Sequence, residues 1–299
     1  MKNRFRAGYD LSVLESKKNV AVRDITLTDG IFDANIDLSQ PGQIRVALWQ
    51  EWRTMLEDLR RLGPVWRMAR NSHAVLAIYG DYPELAFASD KAAHAGNGES
   101  AAFYHFQAWR QATAFASDCC CGPIHGLEIE NRHGDCFHRI CLTKNGEVER
   151  FVEWTQVHQA TGLETPDDFS SGSDRRSQPV PPGTLEVGSH LLRTVLITAA
   201  QREIPLVAGV VSEGLAQTER INVERATENQ GWLVLSGEHR SLYVETEPNG
   251  QLWLEPRSLE GEPIWSLSLV HPEGRCRLRL QTVVDHRLAW NRLVQEILQ

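Results

Sequence analysis

The chain has 299 residues, of which 41% are apolar and 23% charged, and its formal net charge is −8. This composition is typical of a globular protein, excludes a disordered or collagen-like chain, and leaves room for about two domains of ~150 residues each. The negative charge argues against nucleic acid as a partner, and no apolar stretch approaches the ~20 residues that membrane insertion requires. Because no apolar segment follows the basic N-terminus as in a secretory signal, we expect a cytoplasmic protein.

An N-terminal segment over residues 1–45 precedes the first predicted helix. The apolar positions of that helix share one face and are followed by a glycine stop: Trp52, Met55, Leu56, Leu59, Leu62 and Gly63. A predicted strand follows over residues 74–80, and His73 lies at its start, either as a ligand or as an ordinary loop residue. Further on, His105 lies among Phe103, Tyr104 and Trp109, which favours either a lining for a planar ligand or a piece of the core.

Ligand-type side chains are concentrated between residues 119 and 141. They comprise a cysteine triplet, three further cysteine or histidine positions on the hairpin, and one histidine before it: Cys119, Cys120, Cys121, His125, Cys136, His138 and Cys141. Thiolates and imidazoles are zinc ligands, but strand alternation predicts Cys136 and His138 on one face and Cys141 on the other. The alternative is that the hairpin cysteines are small core residues, that His138 lies on the sheet surface, and that the triplet lies in a loop with reduced thiols.

The hairpin itself is predicted over residues 127–140, from alternation on both sides of a turn that contains Gly134. A helical pattern follows in Val148, Phe151, Trp154 and Thr155. This helix ends at His158, which is a candidate ligand or a simple cap of the last helical carbonyls.

The second half repeats the first at an offset of about 140 residues. The helix recurs in Leu192, Val195, Leu196 and Ala199; the hairpin recurs over residues 265–280, and the closing helix follows in Trp290, Leu293, Val294 and Ile297. Residues 161–184 are rich in turn formers and read as a linker. We therefore predict an α+β fold, a tandem duplication of a unit with a large antiparallel sheet flanked by helices, with repeats at 1–160 and 185–299.

Several stretches resemble the HemS-type haem-utilisation proteins, also called hemin-degrading factors. In the first half these are residues 59–75, Ala108-Trp109, Ala114-Phe115 and residues 134–140; in the second half they are residues 231–233, 253–257 and 266–269 with Gly274. Residues 22–30 also look like the family's N-terminal helical segment. The resemblance covers nearly the whole chain.

The resemblance implies a protein that binds haem after import, and that either passes it to a haem oxygenase or degrades it with an electron donor. The family's axial histidine lies in a Val-His-Gln context, which matches His158 as the haem iron ligand. Arg257 stands where a lysine of the family meets a haem propionate. Phe103 and His105 stand where the family has arginine and phenylalanine, Gln281 replaces a tyrosine, and Ser171 replaces an arginine.

From these residues we predict an intracellular haem-binding protein that carries or sequesters haem, supplied by a haem importer. The predicted binding residues are His158, Arg257, His73 and His105. The alternatives are an enzyme that degrades haem oxidatively, and a binding module that keeps the fold without haem.

Overall fold

The structure is a computed structural model that describes residues 44–119, 122–142, 148–160, 182–272 and 275–298. The N-terminal segment, most of the linker, Cys120 and Cys121 lie outside these residues, as does Ser171. In the first repeat the elements are β1 (Ile44–Ala47), α1 (Trp52–Asp58), β2 (Val65–Arg70), β3 (Ala74–Gly80), β4 (Ala86–Ser89), β5 (Ala92–Asn97), β6 (Ser100–His105), β7 (Trp109–Cys119), β8 (Gly122–Asn131), β9 (Cys136–Leu142) and α2 (Val148–His158).

The second repeat runs through the same series of elements. They are β10 (Leu185–Val187), α3 (His190–Gln201), β11 (Leu206–Val211), β12 (Leu215–Ile221), β13 (Arg225–Asn229), β14 (Trp232–Gly237), β15 (Arg240–Glu245), β16 (Gln251–Leu259), β17 (Glu262–Val270), β18 (Cys276–Thr282) and α4 (Arg287–Leu298). Counted between first residues, each element of the first repeat has its counterpart 138 to 142 residues later. The predicted tandem duplication and α+β class are therefore confirmed.

The strands form two nine-stranded antiparallel sheets, and each sheet contains strands of both repeats. Sheet I has the order β1-β7-β8-β9-β2-β3-β15-β14-β13, and sheet II has the order β10-β16-β17-β18-β11-β12-β6-β5-β4. Three strands of each repeat thus lie in the sheet formed mainly by the other repeat: β4–β6 lie in sheet II, and β13–β15 lie in sheet I. The joins are β3 with β15, where Leu76 faces Leu242, and β12 with β6, where Gln217 faces Ala102. If each strand is replaced by its counterpart in the other repeat, the strand order of sheet I becomes that of sheet II.

Local sequence explains the helices that cover the sheets. Met55 and Leu56 of α1 are buried, and the helix tightens into a 3-10 turn over Leu59–Leu62 before Gly63, whose φ of 77° ends it. In the same way α3 buries Leu192 and Leu196, as its apolar spacing predicts. Helices and inner sheet faces share one apolar core, so the faces of the sheets that point away from this core are the outer faces.

No helix in the described part of the chain is long and apolar enough to cross a membrane.

Candidate functional site

The outer face of sheet II carries a row of small side chains. Strand registers align Ser268 with Arg279, Arg279 with Gly209, Gly209 with Thr218, Thr218 with Ala101, and Ala101 with Gly96. Within this row, Gly209 and Ser268 are buried. We call the five small residues of the row the small-residue floor. Small side chains across neighbouring strands leave the sheet surface flat, which is the shape that a planar ligand requires.

Aromatic and imidazole groups border the floor on β5 and β6. Phe103 is 60% exposed, which is unusual for a large apolar side chain in a sheet. The His94 ring stacks on it, with centroids 6.4 Å apart and planes at 24°. His105 lies two residues after Phe103 on the same face of β6 and is exposed. Two solvent-accessible imidazoles therefore flank one exposed phenyl ring.

Two arginines lie on this face: Arg279 of β18 stands within the row, between Gly209 and Ser268, and Arg257 is on β16. Arg279 donates from Nε to Ser268 Oγ at 3.5 Å. Arg257 lies further out, and its Nε donates to Glu255 Oε2 at 3.0 Å. The Glu255 side chain is buried, so Arg257 compensates a buried carboxylate.

The corresponding outer face of sheet I is closed by larger side chains. Met68 stands at the position of Gly209, and Glu128 stands at the position of Ser268. The buried carboxylate of Glu128 accepts from Arg139 at 2.5 Å and from Arg45 at 3.0 Å. Both faces therefore carry an arginine on the last strand of the hairpin, Arg139 and Arg279, but in the described structure the side chains beside Arg279 are smaller than those beside Arg139.

His158 lies in a helix contact away from this face. Its ring is buried, its Nε2 is 3.2 Å from Asp58 Oδ2, and its centroid is 4.8 Å from that of Trp154. Its carbonyl accepts from the Trp49 amide at 2.8 Å, which ties the end of α2 to the segment between β1 and α1. An iron atom bound through Nε2 would have to displace Asp58.

His73 lies at the turn between β2 and β3. Its Nδ1 is 2.7 Å from Glu245 Oε2, at the end of β15, and its ring is buried. Among the described residues its Nε2 has no hydrogen-bond partner. His73 and His158 thus lie in separate places, and neither is on the outer face of sheet II.

The other two predicted site residues, His105 and Arg257, do share that face. They lie on β6 and β16, which are five strand spacings apart in sheet II, a separation of about 24 Å at ~4.8 Å per strand. That distance is too large for both to contact one porphyrin. His94, which the prediction missed, is close to His105 instead; the alternation of alanine with His94 in Ala92–Asn97 is the signal that marks it as a surface residue.

The predicted placement of His138 on the sheet surface is wrong. His138 pairs with Ile129 and alternates regularly with Ile140, so it shares their inward face and is fully buried, and the β-bulge between Ile129 and Glu130 separates its register from that of Cys136. Its Nδ1 is 2.8 Å from the Met68 carbonyl oxygen and its Nε2 is 3.3 Å from the Tyr82 hydroxyl. Burial lowers the pKa of His138 to about 4.

The thiols near His138 have a different environment. Burial, and after it the nearby Glu128 carboxylate, raise the pKa of Cys136 to about 11. Within the described ranges neither Cys136 nor Cys141 forms a disulfide, and no group of three or more histidine, cysteine or acidic side chains is arranged to hold a metal ion. The described part of the hairpin thus favours the structural interpretation of these cysteines.

The fold is one already known from solved structures, although no protein-family model matches the chain and no curated protein matches it by sequence. Two solved structures share it over most of their length. Holo-PhuS, a heme-binding protein from Pseudomonas aeruginosa, matches with a TM-score of 0.69 at 15% identity over 83% of this chain and 86% of that chain. The Escherichia coli O157:H7 heme degrading enzyme ChuS matches with a TM-score of 0.69 at 16% identity over 84% and 86%.

Proposed function

We propose that this protein binds haem as a carrier or sequestering agent, on the outer face of sheet II. The observation that carries the proposal is the open small-residue floor beside an exposed Phe103, in a fold shared with a heme-binding protein and a heme degrading enzyme. Flat apolar surface suits a porphyrin, whose burial is the main favourable term in binding it. The floor, Phe103 and the adjacent imidazoles fit such a group.

The side chains around the floor have distinct proposed roles. His105 and His94 are the imidazoles available to the haem iron on this face, and a neutral imidazole is a common iron ligand. Arg279 is a cation for a propionate, because it stands within the row that forms the floor and has only a long contact with a neutral hydroxyl. Arg257 is held by Glu255, so we expect it to contribute less.

Hemin titration followed at the Soret band tests the proposal. We expect a saturable shift at one haem per chain, since the outer face of sheet I carries larger side chains at the positions of the floor. Gly209→Met places the sheet I residue on the floor, and we expect it to weaken hemin binding at least tenfold. A Cβ at position 209 would lie 3.3 Å from Thr218 Oγ1, a contact that a small adjustment relieves. Val234→Met, on the outer face of sheet I, is the matched control and should bind like the unmodified protein.

Variants of the histidines assign the iron ligand. We expect His105→Ala or His94→Ala to change the Soret position, whereas His158→Ala should leave it unchanged, because the His158 ring is engaged with Asp58. A Soret change confined to His158→Ala would instead support the sequence-based ligand. Absence of any hemin shift, or equal affinity in Gly209→Met, would overturn the proposed site.

We further propose that the protein acts in the cytoplasm, receives haem from an importer and delivers it to an oxygenase. Adding ascorbate to the hemin complex separates this carrier role from oxidative degradation. A persistent Soret band supports the carrier, and conversion to an open tetrapyrrole supports the enzyme.

A further inference from the structure

A groove lies between α3 and β13, the edge strand of sheet I. It is separate from the proposed haem face, which lies on sheet II. It has two connected parts of about 500 Å³ and 720 Å³, which share Arg193 and Glu228 as lining residues. The smaller part has apolar side chains, including Ile197, Val223 and Leu233. Such volumes are typical of sites for small molecules. We call this feature the α3–β13 groove.

The first repeat fills the equivalent space with its own aromatic side chains. There, the guanidinium of Arg53 on α1 lies over the ring of Phe87 on β4, with 4.8 Å between Arg53 Cζ and the ring centroid. The ring of Phe106, directly after β6, packs against that of Phe87, with centroids 6.0 Å apart. Aromatic rings capped by an arginine therefore suit this place in the repeat unit.

The second repeat keeps the arginine and lacks both rings. Arg193 is the counterpart of Arg53, and strand register equates Glu228 with Phe87, since Glu228 faces Leu233 as Phe87 faces Ala93. Thr246, which follows β15 and lines the larger part of the groove, is the counterpart of Phe106. The groove is thus the space that the two aromatic side chains occupy in the first repeat. Arg193 pairs with Glu228, but both side chains are about half exposed, so this ion pair opens readily.

Charges of both signs surround this apolar space. Arg193 and Arg225 line it together with Glu224 and Glu228, so an ammonium and a carboxylate on one ligand would each meet a group of opposite sign. We propose that the α3–β13 groove binds a free aromatic amino acid, with its ring in the place of Phe87 and under the Arg193 guanidinium.

Saturation-transfer NMR and calorimetry with L-phenylalanine on the full chain test this proposal. We expect saturable binding of L-phenylalanine, and at least tenfold weaker binding of L-leucine, which lacks the ring, and of phenylacetate, which lacks the ammonium. N-acetyl-L-phenylalaninamide carries the ring without either charge, as in a peptide interior. Equal binding of this compound would overturn the assignment to the free amino acid and favour a peptide side chain.

Grafted side chains locate the site. Glu228→Phe restores the arrangement of the first repeat, so we expect it to abolish L-phenylalanine binding while the hemin titration stays unchanged. Glu238→Phe places the same side chain on an exposed turn and serves as the control. Arg193→Met removes the cap over the ring and should weaken binding at least fivefold without filling the groove. Unchanged affinity in both Glu228→Phe and Arg193→Met would refute the groove as the binding site.

Discussion

His138 links folding stability to pH because it is neutral inside the protein. Burial lowers its pKa from 6.5 to about 4, although its hydrogen bond to the Met68 carbonyl acts in the opposite direction. Since a carbonyl only accepts, the Nδ1–H of His138 donates to Met68, and Nε2 faces the Tyr82 hydroxyl. A proton on Nε2 would leave a charge in the apolar core, and no described residue that contacts this ring is an anion.

The sign of the pH dependence follows from the proton count. The unfolded chain binds a proton on this histidine below pH 6.5, while the folded protein binds it only below about pH 4. Stability is therefore full above pH 6.5 and is lost as the pH falls between these values. The complete difference is worth about 3.4 kcal/mol, and about 2 kcal/mol of it is lost by pH 5.

Replacement of His138 by leucine isolates this contribution. Leu278 stands at the same position in the second repeat, so leucine suits this site in the repeat unit. Urea unfolding at pH 7.5 and pH 5.0, followed by tryptophan fluorescence, gives the loss of unfolding free energy for each protein. We expect the loss to be about 2 kcal/mol larger in the unmodified protein than in His138→Leu.

The comparison uses differences between pH values, so the cost of the substitution itself cancels. His94→Leu is the control, because the His94 ring is exposed, and we expect its pH dependence to match that of the unmodified protein. If His138→Leu lost as much stability on acidification as the unmodified protein, the account of a neutral buried imidazole would be refuted.

Two further predictions concern buried polar groups. Arg139→Met leaves the buried Glu128 carboxylate with Arg45 as its cationic partner among the described residues, and we expect the free energy of unfolding in urea to fall by about 3 kcal/mol. Arg279→Met should lower it by about 1 kcal/mol, because the partner of Arg279 is a neutral hydroxyl. Similar losses in both variants would contradict this. Gln217→Leu should raise stability by about 1–3 kcal/mol, because no described residue bonds to its buried amide group, and a lower melting temperature in calorimetry would count against it.

The repeat and its elements were predictable because they depend on local pattern. The apolar faces of the predicted helices are buried, as with Leu196 and Trp290, and both predicted hairpins form as β8–β9 and β17–β18. Alternation along a strand tells which side chains share a face. It does not tell which strand lies alongside, so the transfer of β4–β6 and β13–β15 between sheets left no signal in either repeat.

The candidate site shows the same division. The aromatic context of His105 left a ligand lining and a core position open, and the residue is exposed, whereas His94 is also exposed but carries no motif. The β-bulge beyond the Ile129–His138 pair breaks the alternation between Cys136 and His138, so alternation alone could not show that His138 faces inward with Ile140. The contact of His158 with Asp58 spans 100 residues of sequence, and spacing alone does not reveal such a partner.

The exchange of strands has a consequence for the integrity of the chain. Removal of either repeat would leave the other with incomplete sheets and with β3 or β12 as an unpaired edge, which is prone to intermolecular pairing. By contrast, a single cut between residues 160 and 182 leaves both joins, β3–β15 and β12–β6, intact within the shared core. The two fragments should then elute together at the position of the intact protein on gel filtration and should separate only in denaturant, because each fragment needs strands of the other to complete its sheet.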